Sequence, residues 1–436
     1  MKHHYYTLLS ILLVSLTLLS ACSNTDTPAH AEALLQTVPA DPAYVQVLDI
    51  DRFIDNNGGK ADGSVVKNDE RLRKELVTAF PKFDIASLLD GEAGISFTAA
   101  VVFADNLQNY LTFRVEDGEK FRAYTSAKTG LKWTQRDKLY TADSLVQSGN
   151  QVWLCSKGNF DRISEYAALT KARSFMSNEY AATLSACEHD IAYYVPISAA
   201  IDASSMSFSE RASLRMALSM VFDNVVAVAG YADAKDKKVE MTADMLDSNG
   251  HIAKCNLKLG KIDVAQTAAL GGNANTIFAI SLPHQLIDQL LKTAESLGGT
   301  MPALYKNLLT PLDGTVALAT SVTTDMDKTD VPFIASIATT GNQAPLMQSL
   351  YGMGLKPVSE GNLLKISVGN YGAGALKVAD AAKELEGASA GLVMKNADET
   401  LITATVHQHD GGLRLNLGIT SPKPVISYLP KLVNPK

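Results

Sequence analysis

Aromatic residues make up only 7% of the 436 residues, and tryptophan occurs twice. Proteins that grip glycans stack sugars on exposed rings, so this scarcity counts against a glycan-binding surface. Cysteine occurs four times, at Cys22, Cys155, Cys187 and Cys255. None sits in a C-x-x-C pair, which removes the common zinc and thioredoxin-like patterns. No run of Lys or Arg builds a basic patch, and the formal net charge is −7. Nucleic acid and anionic membrane surfaces are therefore poor partners. Past residue 21 no apolar run reaches the ~20 residues that a membrane-spanning helix needs. What remains is a chain with 46% hydrophobic residues, enough for two globular domains with their own cores.

The N-terminus carries the sharpest signal. Lys2 supplies positive charge, Leu8 to Leu19 is a mostly apolar core, and Leu19-Ser20-Ala21-Cys22 ends it. The core is too short to span a bilayer and reads as a cleaved export signal. Its ending resembles the lipobox of bacterial lipoproteins; the competing reading is an ordinary signal peptide that happens to contain Cys22. The resemblance implies that residues 1–21 are removed and that the Cys22 thiol carries a diacylglycerol, whose two chains anchor a protein stably. Removal takes away Lys2 and no acid, so the net charge becomes −8. In such lipoproteins of enteric-type bacteria an Asp after the cysteine retains the chain at the inner membrane, so Ser23 points to the outer membrane. An acidic run there promotes surface display in Bacteroides-type bacteria. Here Asp26 stands alone, and the periplasmic face and the cell surface are both compatible. Residues 22–36 are mostly small and polar and are expected to form a flexible tether.

An ordered series of landmarks suggests an internal duplication. The strand Tyr44–Leu48, followed by a helix at Phe53-Ile54-Asp55, is matched by Ile277–Ile280 and Leu286-Ile287-Asp288. Leu89-Asp90-Gly91 is matched by Leu312-Asp313-Gly314, Gly118 by Gly341, and Gly130-Leu131-Lys132 by Gly354-Leu355-Lys356. Gly149-Asn150 is matched by Gly361-Asn362, and Gly158-Asn159-Phe160 by Gly369-Asn370-Tyr371. The first copy holds an additional hairpin around Leu139-Tyr140-Thr141. Strand-rich segments follow each copy: Val225–Tyr231, Val239–Leu246 and Ile252–Leu259 after the first, and Leu392–Lys395, Leu401–His407 and Leu413–Gly418 after the second, with Asp410-Gly411-Gly412 as a turn. The expected class is α+β: two tandem duplicated modules of mainly antiparallel sheet with packed helices. They are placed at 37–262 and 273–436, with the boundary between 262 and 273. The opening Val38-Pro39-Ala40-Asp41-Pro42, leading into a strand and an amphipathic helix, resembles an uncharacterised family of Bacteroides-type lipoproteins, a domain of unknown function. That resemblance implies a lipid-anchored envelope protein of mixed α and β structure and transfers no active-site residue.

Each motif that could carry chemistry has a plainer explanation. Gly387-Ala388-Ser389-Ala390-Gly391 fits the nucleophile elbow G-x-S-x-G, but a helix precedes it and a strand follows, the reverse of what the elbow needs. Gly369, Gly372 and Gly374 lie between a strand and a helix without the dinucleotide order or a Walker lysine. His407 and His409 share one face of a strand beside Asp410, a spacing that can bind metal if a further ligand arrives from elsewhere. Asp325, Asp327 and Asp330 crowd one loop but miss the calcium-loop Gly and Glu. Asp49 and Asp51 could form a carboxylate pair, given a cleft and an opposed partner. Cys187-Glu188-His189-Asp190 holds the residue types of a thiol site in adjacent positions that cannot easily face one another. Cys155, in an apolar run, reads as a buried free thiol.

The one site residue assigned is therefore Cys22, with no catalytic, cofactor-binding or metal-binding residue. The leading expectation is a non-catalytic envelope protein of binding or scaffold type, held to the membrane by its lipid and meeting an envelope protein or apolar ligand. A carrier of an apolar ligand such as a lipid, and a hydrolase using Asp49 and Asp51, are the alternatives.

Overall fold

The structure is a computed structural model that describes residues 27–49, 52–53, 56–57, 74, 94–105, 108–155, 160–186, 188–296, 302–321 and 331–425. It is of mixed α and β type and mostly antiparallel sheet. The chain forms two compact units: Met1–Ser219 with Asn224–Ile252 and Lys423–Lys436, and Met220–Asp223 with Ala253–Pro422.

In the first unit, β1 (Tyr44–Leu48) lies between β2 (Ile95–Asp105) and β8 (Ile191–Pro196), antiparallel to both. Outward from β8 come β9 (Val225–Lys235) and β10 (Lys238–Asp247). Outward from β2 come β3 (Gln108–Val115), β7 (Gln151–Leu154), β6 (Leu145–Ser148), β5 (Leu139–Ala142) and β4 (Thr134–Arg136). Alternation sends Val45, Val47, Val101 and Phe103 to one face, where they share a core with Trp153, Ile163, Phe175 and Leu184. Phe103 stacks on Tyr110 at 5.0 Å, and Tyr166 meets Phe103 edge-on. The helix Gly118–Thr129 starts where Asp117 accepts hydrogen bonds from the Glu119 and Lys120 N–H groups, and Gly130 at φ 70 ends it.

In the second unit, β12 (Thr276–Leu282) lies between β13 (Leu312–Thr320) and β18 (Ala390–Lys395). β19 (Leu401–His409) and β20 (Gly412–Thr420) follow β18; β14 (Phe333–Thr339), β16 (Leu363–Val368) and β15 (Val358–Glu360) follow β13. A short pair, β11 (Asn273–Ala274) with β17 (Leu376–Lys377), stands apart. The sheet is apolar on both faces. Ile277, Ala279, Ala317 and Ala319 pack with Val378, Ala381 and Leu385, while Leu312, Leu318, Leu364 and Ile366 pack with Ile287, Leu346 and Leu350. β19 and β20 join through Asp410 (φ 47) and Gly411 (φ 80), the two left-handed positions of a tight hairpin turn.

Three expectations need correction. The tether does not run to residue 36, because Thr27–Leu35 is a helix whose Ala31, Leu34 and Leu35 are fully buried in the first unit's core. The boundary does not fall at 262–273: the second unit already takes in the chain from Ala253, and Ile262 and Leu270 are buried in it around the short helix Val264–Ala268 capped by Asp263. Residues 252–259 alternate like a strand yet form none. Their backbone bonds go to scattered partners, Cys255 N–H to Gly411 O (2.8 Å), Asn256 N–H to Val221 O (2.7 Å) and Lys258 N–H to the Gln289 side chain (3.0 Å), so no ladder forms. Cys22, Asp51, Leu89-Asp90-Gly91, Gly158-Asn159, Cys187 and the Asp325–Asp327–Asp330 loop lie outside the described residues.

Candidate functional site

The richest group of polar side chains forms where β1, β8 and β9 run out together. Two stretches that are distant in sequence meet there, since Asp49 N–H donates to Asp190 O at 2.9 Å. Asp190 is 2% exposed. Its N–H donates to Asp233 Oδ1 (3.0 Å), its Oδ2 accepts from Ala234 N–H (2.6 Å) and its Oδ1 accepts from Asn56 Nδ2 (2.7 Å). Burial pushes its carboxyl up to about 6; the Asp233 charge adds to this, and the Ala234 N–H, Asn56 and Arg52 oppose it. His189 Nδ1 lies 2.7 Å from Asp233 Oδ2, and its ring stacks on Tyr231 with centroids 3.5 Å apart. Asn57 Nδ2 donates to Ala234 O (2.7 Å) and Phe53 O (2.8 Å), while its Oδ1 is buried with no partner among the described residues.

An imidazole oriented by one carboxylate, beside a second buried carboxyl, can hold and exchange a proton. Both oxygens of Asp190 are nonetheless taken up in joining β8, β9 and the segment around Asn56. The Asp49 carboxylate accepts from Arg52 N–H at 3.0 Å and so serves as a cap for the turn that follows β1. The sequence flagged Asp49, His189 and Asp190 in two unrelated motifs; the register Leu48↔Ile191 is what joins them. It missed Asn56, Asn57 and Asp233. Asp233 had a readable signal, a charge set between the buried Ala232 and Ala234 in an otherwise small and apolar strand.

The remaining motifs disperse. His407 Nε2 lies 2.9 Å from Thr405 Oγ1 and His409 Nε2 lies 3.4 Å from Asp410 Oδ2, so the two imidazoles take separate partners. His409, Asp410, Gln408 and Cys255 line a cavity of about 240 Å³ in the second unit. Among the described residues no group of three or more His, Cys, Asp or Glu side chains could hold a metal ion. Cys155 and Cys255 are free thiols; burial pushes Cys155 up to about 11 and also raises Cys255, which disfavours the thiolate in both. Ser389 is buried at the start of β18 after a turn at Gly387 (φ 74), and its N–H donates to Val406 O (2.7 Å). Gly374 is explained by packing, since a Cβ there would strike the Ala274 backbone across the short β11–β17 pair.

No family model matches the chain, and no curated protein does. A solved structure titled "Structure of crystal form I of TP0453" aligns with 50% of this chain and 79% of its own, at 13% identity and a TM-score of 0.26. A likeness that slight bears on neither fold nor function.

Proposed function

We propose that the chain is a lipid-anchored cell-envelope protein of non-catalytic binding or scaffold type, seated at the outer membrane and built from two copies of one α+β module. The observation that carries the anchor is Leu19-Ser20-Ala21-Cys22, closing an apolar core too short to span a bilayer. Mass spectrometry of the N-terminal peptide from protein extracted out of its own membrane tests it. A peptide beginning at lipidated Cys22 is expected, and an unmodified Cys22 overturns the reading.

The duplication is supported by strand order. Reading β10-β9-β8-β1-β2-β3-β7-β6 in the first unit and β20-β19-β18-β12-β13-β14-β16-β15 in the second gives the same succession of antiparallel neighbours. Both units carry a register shift at the same place, between Ser96 and Ala100 and between Leu312 and Val316. Gly149-Asn150 and Gly361-Asn362 make the same turn: Val115 N–H donates to Asn150 O (2.8 Å) and Thr339 N–H to Asn362 O (2.9 Å). On this alignment Asp49, Asp190 and Asp233 correspond to Ser281, Ser389 and His407. The backbone bond persists without acids, Ser281 N–H to Ser389 O at 2.8 Å. The acids are therefore no requirement of this backbone pairing.

A second reading, carriage of an apolar ligand, draws on the second unit. Leu282, Phe333 and Ile337 of its strands and Leu291 and Leu308 of the helices packed with them are only half-buried. The covering helix Ala303–Leu309 buries no residue, and Leu304 and Tyr305 stand exposed on it. Native mass spectrometry distinguishes the readings, since a carrier retains a small-molecule mass beyond the Cys22 lipid.

A further inference from the structure

The helix Phe208–Val221 is 14 residues long and contains no buried residue. Its first half is capped and tied to the segment before it. Ser207 and Glu210 form a reciprocal cap, with Ser207 N–H donating to Glu210 Oε2 (2.7 Å) and Glu210 N–H to Ser207 Oγ (3.3 Å). Arg211 Nε donates to Met206 O (2.9 Å), and Arg215 pairs with Asp202 (2.6 Å) on the preceding helix Ile197–Asp202. Leu214 and Leu218 are half-buried on the inner side. On the outer side Phe208, Ala212 and Met216 recur every fourth residue, one stripe of a helix. Phe208 is 86% exposed and Met216 45%. An apolar stripe presented to water along one side of a capped helix is a surface that a partner can cover.

The chain itself points to the cover. On the anchor reading, Cys22 stands five residues before Thr27, the first residue of a helix locked into the core of the same unit. Five residues reach at most roughly 18 Å, so this unit is held against the bilayer. The pairing Val45↔Tyr194 sets the start of β1 beside the end of β8. The helices that follow Pro196 therefore leave the sheet at the end where the N-terminal segment enters it.

We propose that Phe208, Ala212 and Met216 form a lipid-docking stripe that seats in the headgroup–acyl boundary of the membrane to which Cys22 tethers the chain. The inference rests on the anchor reading. Seating is driven by apolar burial; the helix carries only Glu210, Arg211 and Arg215, so a neutral bilayer suffices.

The test uses the lipidated mature protein in vesicles of phosphatidylcholine and phosphatidylethanolamine, with the Cys22 lipid verified by mass. Phe208→Trp, and separately Met216→Trp, add an indole to an exposed position, and the wild type supplies the background of Trp133 and Trp153. The added emission is expected to shift to the blue and to lose intensity when the lipids carry brominated acyl chains, with little change in the wild type. Added emission that stays at solvent wavelengths and unquenched, in verified lipidated protein, overturns the stripe and leaves the anchor standing. A blue shift without quenching by brominated lipid puts a protein against the helix and also overturns it. Unlipidated Cys22 removes the anchor and the inference together.

Discussion

Asp190 makes the stability of the first unit depend on pH in an unusual direction. Most carboxylates are favoured as ions by folding; this one is disfavoured. In the folded unit its carboxyl titrates at about 6, against an ordinary value of 3.8. Above pH 6 both folded and unfolded chains carry the charge, and the folded state bears the full cost of burying it. As pH falls from 6 towards 3.8 the folded form takes up the proton and that cost is relieved; below 3.8 nothing further is gained. The difference corresponds to about 3 kcal/mol. Asp190→Asn keeps the volume and abolishes the titration, but its single carbonyl cannot accept from both Ala234 N–H and Asn56 Nδ2. That mismatch costs roughly 1–3 kcal/mol at every pH. The variant is therefore expected to be the weaker protein at pH 4, where the unfolded chain is already more than half ionised, and to gain about 2.4 kcal/mol relative to wild type by pH 7. Denaturant titrations followed by tryptophan fluorescence suit the question, because Trp133 and Trp153 both belong to the first unit. A wild-type-to-variant difference that stays flat from pH 4 to 7, or moves the other way, refutes the reasoning.

Leu34→Ala should destabilise the first unit by about 2–5 kcal/mol, as for any large side chain removed from a packed core, and thermal unfolding would show it; a true tether residue would leave the melting temperature unchanged. Trp153→Phe should cost far less than Trp153→Ala, because Trp153 is 1% exposed and its Nε1 has no hydrogen-bond partner among the described residues; equal losses in denaturant titrations would contradict this. Gly374→Ala should weaken the second unit by more than about 2 kcal/mol through its clash with Ala274, read from hydrogen exchange at the β11–β17 pair. Cys155 should resist thiol reagents until the protein unfolds and Cys255 should react slowly, each followed by peptide mass after alkylation.

Much of the sheet was legible because its signals are local. Alternation at Ile277–Ile280, Val239–Leu246 and Leu401–His407 marks strands that exist, and Gly149-Asn150 and Asp410-Gly411 demand the left-handed turns found there. The same alternation misled at residues 252–259, because a strand also needs a neighbour that matches it, and neighbours are not local. At Thr27–Leu35 the small polar composition outweighed the spacing of Ala31, Leu34, Leu35 and Val38, a helical face that was there to be read. The polar cluster was hidden for a third reason: its members lie on three separate stretches, and only strand register brings Asp49, Asp190 and Asp233 together.

The central place of β1 also governs when the protein can fold. Its residues come near the start of the sequence, yet Val45 must wait for Phe103 on the β2 side and for Tyr194 on the β8 side. The N-terminal helix beneath it packs against β2 and the helix Ala181–Ser185. Such long-range closure is slow. Until β8 is available, the helix Thr27–Leu35 has no complete core to enter. The fold thus sets an order of assembly, with β2 and β8 in hand before β1 and the N-terminal helix can be enclosed.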